Sequence, residues 1–90
     1  MSETARTVAI TNRRGLHARA SAKFVTLAAT LPCEVVVEKD GHSVTGRSIM
    51  GLMMLGAAMG DSITIRADGD GAADAVAQLA ALVEAKFDEE

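Results

Sequence analysis

The stretch "CEVVVEKDGHSVTG", residues 33–46, decides the fold because it combines two strand-like runs with a tight turn between them. The first run contains the valines Val35–Val37, and β-branched residues favour extended backbone. Lys-Asp-Gly is a turn signal, and "HSVTG" has the composition of a returning strand. Strands joined by so short a turn pair antiparallel. The stretch therefore predicts an antiparallel hairpin, with Val35 and Val37 on one face of a sheet.

Helical patterns flank this hairpin on both sides. Upstream, the residues from Ala18 to about Leu31 carry apolar side chains at helical spacing, and Pro32 ends the run because it disfavours helix at the residue before it. The apolar positions are Ala20, Phe24, Leu27, Ala28 and Leu31. Downstream, Ser48 precedes "IMGLMML", and serine is a favourable N-cap residue. The pattern predicts a long helix before the hairpin and a short helix after it.

Two more strands and a last helix lie outside these elements. Residues 5–11, "ARTVAIT", and residues 61–67, "DSITIRA", alternate with period two, which is typical of strands. Their inward positions are Val8, Ile10, Ile63 and Ile65. The last helix is predicted to open at Asp70 or Gly71. Its apolar face comprises Ala72, Val76, Leu79, Val83 and Phe87. The predicted order is β-α-β-β-α-β-α.

Every predicted strand has one apolar face, and this indicates an α+β fold with a one-sided sheet. Glu34, Glu38 and Arg66 alternate outward, so the second face is expected to be solvated. The apolar stripes of the helices need the first face. A chain of 90 residues has too few apolar side chains for two cores, and we expect one domain over residues 1–90.

Composition excludes several classes of function. The formal net charge is −3, so the protein as a whole does not attract nucleic acid or anionic lipid. There is no Trp or Tyr and there are two Phe residues, whereas readers of single-stranded nucleic acid need several aromatic platforms. The local exception is a basic cluster around His17, which predicts a site for one anion. Its members are Arg13, Arg14, Arg19 and Lys23.

The single cysteine and the absence of targeting signals indicate a soluble cytoplasmic protein. Cys33 is alone, so no intramolecular disulfide is possible, and a lone thiol fits a reducing compartment. The N-terminal residues lack a secretory signal pattern, and the apolar run after Ser48 is too short to span a bilayer. His17 and His42 do not have metal-ligand spacing, and we expect no metal or other cofactor.

His17 is the candidate reactive residue. Neutral imidazole is a good nucleophile, and its ordinary pKa of about 6.5 leaves it mostly uncharged near pH 7. A helix that begins at Ala18 places His17 at or beside its N-cap, where the unpaired backbone N–H groups of Ala18, Arg19 and Ala20 favour a negative group. The Arg19 guanidinium suits phosphate oxygens. Gly15 allows the chain to turn closely before them.

The chain lacks the means to take phosphate from a nucleotide. It contains no GxxxxGK[ST] loop, and its carboxylates are scattered over turns and chain ends. A phosphoryl group on His17 must therefore arrive from one protein and leave to another. The alternative is that His17 is an exposed polar residue, as we expect for His42 in the hairpin.

The stretch "GRSIMGLMML", residues 46–55, is the second candidate. Ile49, Met50 and Met53 are either part of the core or an outward docking patch, since methionine is soft and adaptable. Ser48 is either a helix cap alone or a regulatory phosphorylation site. A phosphoryl group there would be tolerated by the helix N-terminus and would make the adjacent surface repulsive.

Together, "NRRGLHAR" and "GRSIMGLMML" about thirty residues later resemble HPr, the histidine-containing phosphocarrier family of the bacterial phosphotransferase system. The resemblance covers nearly the whole chain. It implies an open-faced β-sandwich with strand order 1-4-2-3 and three helices on one face. It also implies that Enzyme I, charged from phosphoenolpyruvate, phosphorylates His17 on Nδ1 and that an EIIA protein then receives the group.

The resemblance assigns further residues and partners. Arg19 matches the family's arginine, Asn12 a polar residue of the same loop, and Ser48 the serine that HPr kinase/phosphorylase modifies in some bacteria. The family motif usually continues with proline, whereas Ala20 stands here, a form similar to HPr-like proteins of proteobacteria, including those of the nitrogen-related branch. We expect a monomer. The alternatives from other classes are a non-covalent regulatory binding module and, less favoured by the composition, a metal- or RNA-binding domain.

Overall fold

The computed structural model describes residues 3–89. Its elements are β1 (Glu3–Ala9), α1 (Ala18–Ala28), β2 (Val35–Lys39), β3 (His42–Thr45), α2 (Ile49–Met54), β4 (Ser62–Asp68) and α3 (Ala72–Glu84). The four strands form one sheet in the order β1-β4-β2-β3, and all neighbours pair antiparallel. The α+β architecture, the element order and the strand order all confirm the expectations from the sequence.

The two faces of the sheet differ as the alternation predicts. The inward side chains of β2 and β4 are buried, with Val37 and Ile65 fully inaccessible. On the other face, the Arg66 guanidinium pairs with the Glu38 carboxylate at 2.8 Å, and the hydroxyls of Thr7 and Thr64 lie 2.9 Å apart. The helices therefore cover the apolar face and leave a polar face open to solvent.

The core joins the three helices to the sheet. Phe24 of α1, Leu52 of α2 and Leu79 of α3 are each fully buried. Burial of each such side chain contributes about 1.5–3 kcal/mol. The helix positions, and with them the helix N-termini, are therefore fixed by core packing.

The ends of β1 and α1 differ from the sequence prediction, whereas the start of α3 agrees with it. β1 ends at Ala9 rather than residue 11. The Ile10 N–H still donates to the carbonyl of its in-register partner Asp61 at 2.7 Å, but the Ile10 carbonyl accepts from the Gly60 N–H at 2.9 Å instead of from Asp61, so regular pairing stops there. α1 ends at Ala28 rather than near Leu31, because the Thr30 and Leu31 amides donate to carbonyls three residues back, at 3.0 and 3.1 Å, instead of four. Ile10 and Leu31 are nevertheless buried, as predicted. α3 opens at Gly71, whose φ of 82° suits glycine.

The apolar spacing predicted that Phe87 belongs to α3. The residue is buried, as expected, but it lies outside the helix. The helix ends at Glu84, and Lys86, Phe87 and Asp88 have φ values of 58°, 55° and 61°. A left-handed conformation costs non-glycine residues about 1–2 kcal/mol each. Complete burial of the Phe87 ring offsets this cost, and the Lys23 ammonium donates to the Phe87 carbonyl at 2.8 Å. The turn directs the chain end back towards α1.

Within residues 3–89, no helix has the length and apolar character needed to cross a membrane.

Candidate functional site

The loop between β1 and α1 is fixed by a close contact with the segment that follows α2. Gly15 has φ +63°, and a Cβ atom there would lie 2.3 Å from the Ala57 carbonyl oxygen. The next amide, that of Leu16, donates to the same carbonyl at 3.0 Å. The sequence prediction that Gly15 permits a close turn is confirmed. This packing determines where the following residue, His17, is presented.

His17 is the N-cap residue of α1, as predicted. Its backbone is extended, and its carbonyl accepts the first helical hydrogen bond from Ser21 N–H at 2.9 Å. The Arg19 backbone N–H donates to His17 Nδ1 at 3.3 Å. Nδ1 therefore carries a lone pair directed at the helix N-terminus, and the ring proton of the neutral imidazole lies on Nε2.

A carboxylate from the chain end contacts the other ring nitrogen. Glu89 Oε2 accepts a hydrogen bond from His17 Nε2, and Glu89 Oε1 accepts from Asn12 Nδ2 at 3.1 Å. Burial raises the pKa of Glu89, but the hydrogen bonds from His17 and Asn12 and the electrostatic attraction of His17 and Arg14 outweigh it, so the pKa lies below its ordinary value. Glu89 is therefore an anion beside the imidazole.

The sequence analysis missed Glu89, because 72 positions separate it from His17. An acidic residue near a chain end is usually solvated, and nothing in its own neighbourhood marks it. The one available signal is Phe87, an apolar residue at the end of the last helical pattern. A core residue so close to the chain end indicates that the end returns to the body of the protein.

Asn12 ties the loop to the chain end. Its side chain is 2% exposed, and Nδ2 donates to the Gly15 carbonyl at 2.9 Å as well as to Glu89. Among the side chains of residues 3–89, Asn12 Oδ1 is buried without a hydrogen-bond partner. The resemblance alone had pointed to Asn12. The structure gives it a contact with the carboxylate that touches the histidine.

The predicted basic cluster lines an open pocket next to this histidine. The lining includes Arg13, Arg14, Arg19 and Lys23, together with Asn12 and Glu89. Arg19 is exposed, so its guanidinium can reach an incoming anion. The Lys23 ammonium, in contrast, is engaged with the Phe87 carbonyl. Lys86 also lines the pocket and was missed by the sequence analysis, which had placed it in an ordinary helix.

The second candidate region is exposed, as the docking interpretation requires. Ser48 is the N-cap of α2, and its Oγ accepts from the Gly51 N–H at 2.9 Å. Leu52 is buried. The alternative that all apolar residues of this helix belong to the core is wrong, because Met50 and Met54 are largely exposed. We define the methionine patch as Ile49, Met50, Met53, Met54 and Met59, which are 40%, 67%, 40%, 78% and 57% exposed.

Met54 and Met59 had not been predicted to lie outward. Met59 also lines the pocket that contains Arg19 and Glu89, and so it connects the methionine patch to the histidine site. An apolar surface therefore adjoins the basic pocket. A partner that docks on the patch would cover the histidine site as well.

The remaining reactive side chains lie apart from this site. His42 is exposed at the start of β3, as predicted. Cys33 is a half-buried thiol packed against the core just before β2. Over residues 3–89, no three side chains of the His, Cys, Asp and Glu types are grouped to hold a metal ion.

A ring nitrogen at a helix N-terminus, beside an exposed arginine and an exposed apolar surface, fits a phosphocarrier protein. Comparison with known proteins agrees with this class. The family model described as "PTS HPr component phosphorylation site" matches residues 4–85. The chain belongs to the HPr family of phosphocarrier proteins of the bacterial phosphotransferase system.

Individual relatives are similar over almost their whole length. The phosphocarrier protein HPr of Cupriavidus necator is 42% identical over 84 residues, covering 93% of this chain and 94% of the relative. The phosphocarrier protein NPr of Shewanella violacea is 39% identical over 89 residues, covering 99% and 98%. The crystal structure of HPr-C-His from Thermoanaerobacter tengcongensis has a TM-score of 0.89 at 42% identity, covering 100% of this chain and 99% of that one.

Proposed function

We propose that His17 accepts a phosphoryl group from Enzyme I, with phosphoenolpyruvate as the source, and passes it to EIIA proteins. The observation that carries this proposal is the direction of His17 Nδ1, which faces the N–H of Arg19 at the start of α1. Phosphoryl oxygens attached to Nδ1 would meet the same N–H groups and the positive end of the helix dipole. The exposed Arg19 guanidinium adds a counter-charge.

The transfer uses the lone pair of Nδ1. That pair attacks phosphorus, the Nδ1–P bond forms, and the bond between phosphorus and the donor atom breaks with its electron pair remaining on the donor. The return step reverses these events towards the acceptor protein. Positioning and electrostatic stabilisation account for most of the catalysis of such transfers. The chain acts as a protein substrate and supplies no enzyme activity of its own.

The proposal is tested with Enzyme I and labelled phosphoenolpyruvate. We expect acid-labile, base-stable label on the wild type and on His42→Ala, and none on His17→Ala. The His42 variant removes the exposed hairpin histidine and serves as the matched control. Equal label on His17→Ala and the wild type would exclude His17 as the acceptor and favour a non-covalent regulatory module.

The docking surface and the partners are part of the same proposal. Ile49, Met50 and Met53 form the contact with Enzyme I and with EIIA proteins, because the methionine patch is apolar, exposed and adjacent to the pocket. We propose that this chain acts in the cytoplasm, as a monomer that exposes one site to several partners in turn. Light scattering during gel filtration tests the monomer, and a dimer at working concentration would contradict it.

Ser48 is proposed as a second modification site, used where an HPr kinase/phosphorylase is present. Its Oγ lies at the start of α2, bonded to Gly51 N–H and next to Ile49 of the methionine patch. A phosphoryl group there places about two negative charges on the edge of the docking surface. Enzyme I binding is therefore weakened without loss of the fold.

A further inference from the structure

The contact between Glu89 and His17 is held by three separate parts of the chain. The loop provides Asn12, whose Nδ2 bonds both Glu89 and the Gly15 carbonyl. The side chains of His17 and Glu89 are 14% and 19% exposed, so the contact is largely shielded from water. It therefore differs from a surface ion pair between two freely moving side chains.

The turn over residues 86–88 keeps this carboxylate in place. The fully buried Phe87 ring anchors the turn, and Lys23 bonds the Phe87 carbonyl at 2.8 Å. The left-handed backbone of Lys86–Asp88 is unfavourable by itself, and it persists because these contacts hold it. Little conformational entropy is therefore lost when the Glu89 side chain contacts His17.

The hydrogen bonds determine what Glu89 does for the ring. Nδ1 accepts from Arg19 N–H, so the ring proton lies on Nε2, and Nε2–H donates a hydrogen bond to the Glu89 carboxylate. We propose that Glu89 is a positioning residue for phosphoryl transfer: it holds the Nε2 proton and stabilises the positive charge that the ring gains when Nδ1 binds phosphorus. This inference rests on the proposed function of His17.

The charges of the reaction explain why a carboxylate suits this position. Before transfer the ring is neutral, with a lone pair on Nδ1 and a proton on Nε2. After the Nδ1–P bond forms, both nitrogens are substituted and the ring carries a positive charge, while no proton has moved. The Glu89 anion attracts the charged ring more strongly than the neutral ring. It therefore stabilises the transition state relative to the ground state.

Glu89 lies beyond residues 4–85, which the family model matches. The match to the family model therefore says nothing about this carboxylate. Its role is argued from the contacts of this chain with His17 and Asn12 alone.

Two measurements on Glu89→Ala test the inference. In nitrogen-edited NMR, the wild type is expected to show a slowly exchanging Nε2 proton at low field, and the variant is expected to lose it. The rate at which Enzyme I phosphorylates His17 is expected to fall about tenfold, since a hydrogen bond to a charged group contributes more than a kilocalorie. Glu84→Ala is the matched control, because Glu84 pairs with Arg6 on the surface.

Glu89→Gln separates the hydrogen bond from the charge. Its amide oxygen can still accept the Nε2 proton, so we expect the proton signal to persist while phosphorylation remains slow. Unchanged proton signal and unchanged rate in Glu89→Ala would overturn the inference and leave the proposed function intact. Absence of label on the wild type would instead defeat the proposed function, whatever the NMR signal shows.

Discussion

His17 and Ser48 occupy equivalent places in two helices, since each is an N-cap and each follows a glycine by two residues. Their surroundings differ. His17 is contacted from both sides of its ring, by Arg19 N–H and by the Glu89 carboxylate, and it lies next to a basic pocket. Ser48 lies next to the exposed Ile49 of the methionine patch.

The comparison teaches that a helix N-terminus alone does not determine a reaction. At α1, the cap side chain is an imidazole whose Nδ1 faces the Arg19 N–H and whose Nε2 contacts the Glu89 carboxylate. At α2, the cap is an ordinary hydroxyl that bonds its own helix, and it can change only the charge of a neighbouring surface. The surroundings of His17 suit a phosphoryl group that is transferred onward, whereas those of Ser48 suit a regulatory phosphorylation.

The largest expected difference is in the free energy of unfolding, when each of the two glycines before the caps is replaced by alanine. Gly15→Ala should lower the free energy of unfolding by about 3 kcal/mol, because alanine would adopt an unfavourable positive φ and its Cβ would overlap the Ala57 carbonyl. Gly46→Ala should change it by less than about 1 kcal/mol, since its Cβ meets only side chains, at 3.2 Å and beyond. Chemical denaturation measures both. Equal losses would show that the two cap segments are equally constrained.

Charge reversal at Arg19 should have the next largest effect. Arg19→Glu is expected to slow phosphorylation of His17 about a hundredfold, while the exposed position changes the unfolding free energy by no more than about 0.5 kcal/mol. Rapid-quench labelling and thermal unfolding test the two parts. Arg6→Glu, which makes the same change of charge at an exposed arginine on β1, controls for net charge. A retained transfer rate would argue against contact between Arg19 and the phosphoryl group.

Ser48→Asp should weaken binding to Enzyme I about tenfold, because it adds a negative charge at the edge of the methionine patch. Calorimetric titration measures this affinity. Ser43→Asp, an exposed position on β3, is the matched control and should leave it unchanged. Unchanged affinity in Ser48→Asp would mean that the start of α2 lies outside the interface.

The smallest effect concerns acid stability. Because the pKa of Glu89 is lowered in the folded state, its contribution to stability is present above the ordinary value of 4.5 and is lost as pH falls through the lower folded value. The wild type should therefore melt at a higher temperature than Glu89→Gln near neutral pH, and the difference should shrink below about pH 4. Calorimetric scans across that range test this. A difference that stays constant would show that the Glu89 charge is not involved.

The sequence predicted the elements because their signals are local. The valines of β2, the apolar spacing of α1 and the Ser48 cap each depend on a few neighbouring residues, and core packing reinforces them. The position of His17 followed from the same local logic, since a turn precedes the helix there. The strand order came from the resemblance rather than from the pattern.

The contacts between distant residues could not be predicted in this way. Phe87 appeared to continue α3, because helical spacing cannot distinguish a helix from a turn that buries the same side chain. The position of Glu89 depends on that turn, and the exposure of Met54 and Met59 depends on where α2 ends. These features arise when separate segments pack together.

The first turn of α1 contains no acidic residue, although such residues commonly compensate the partial positive charge of a helix start. The unmodified carrier therefore leaves this end of the helix electrostatically incomplete. If His17 is phosphorylated as proposed, the dianion supplies this negative charge, so the phosphorylated form should resist heat better than the unphosphorylated one. The phosphorylation state and the thermal stability of the protein would then be linked, and transfer of the phosphoryl group to the next protein would have to overcome that added stabilisation.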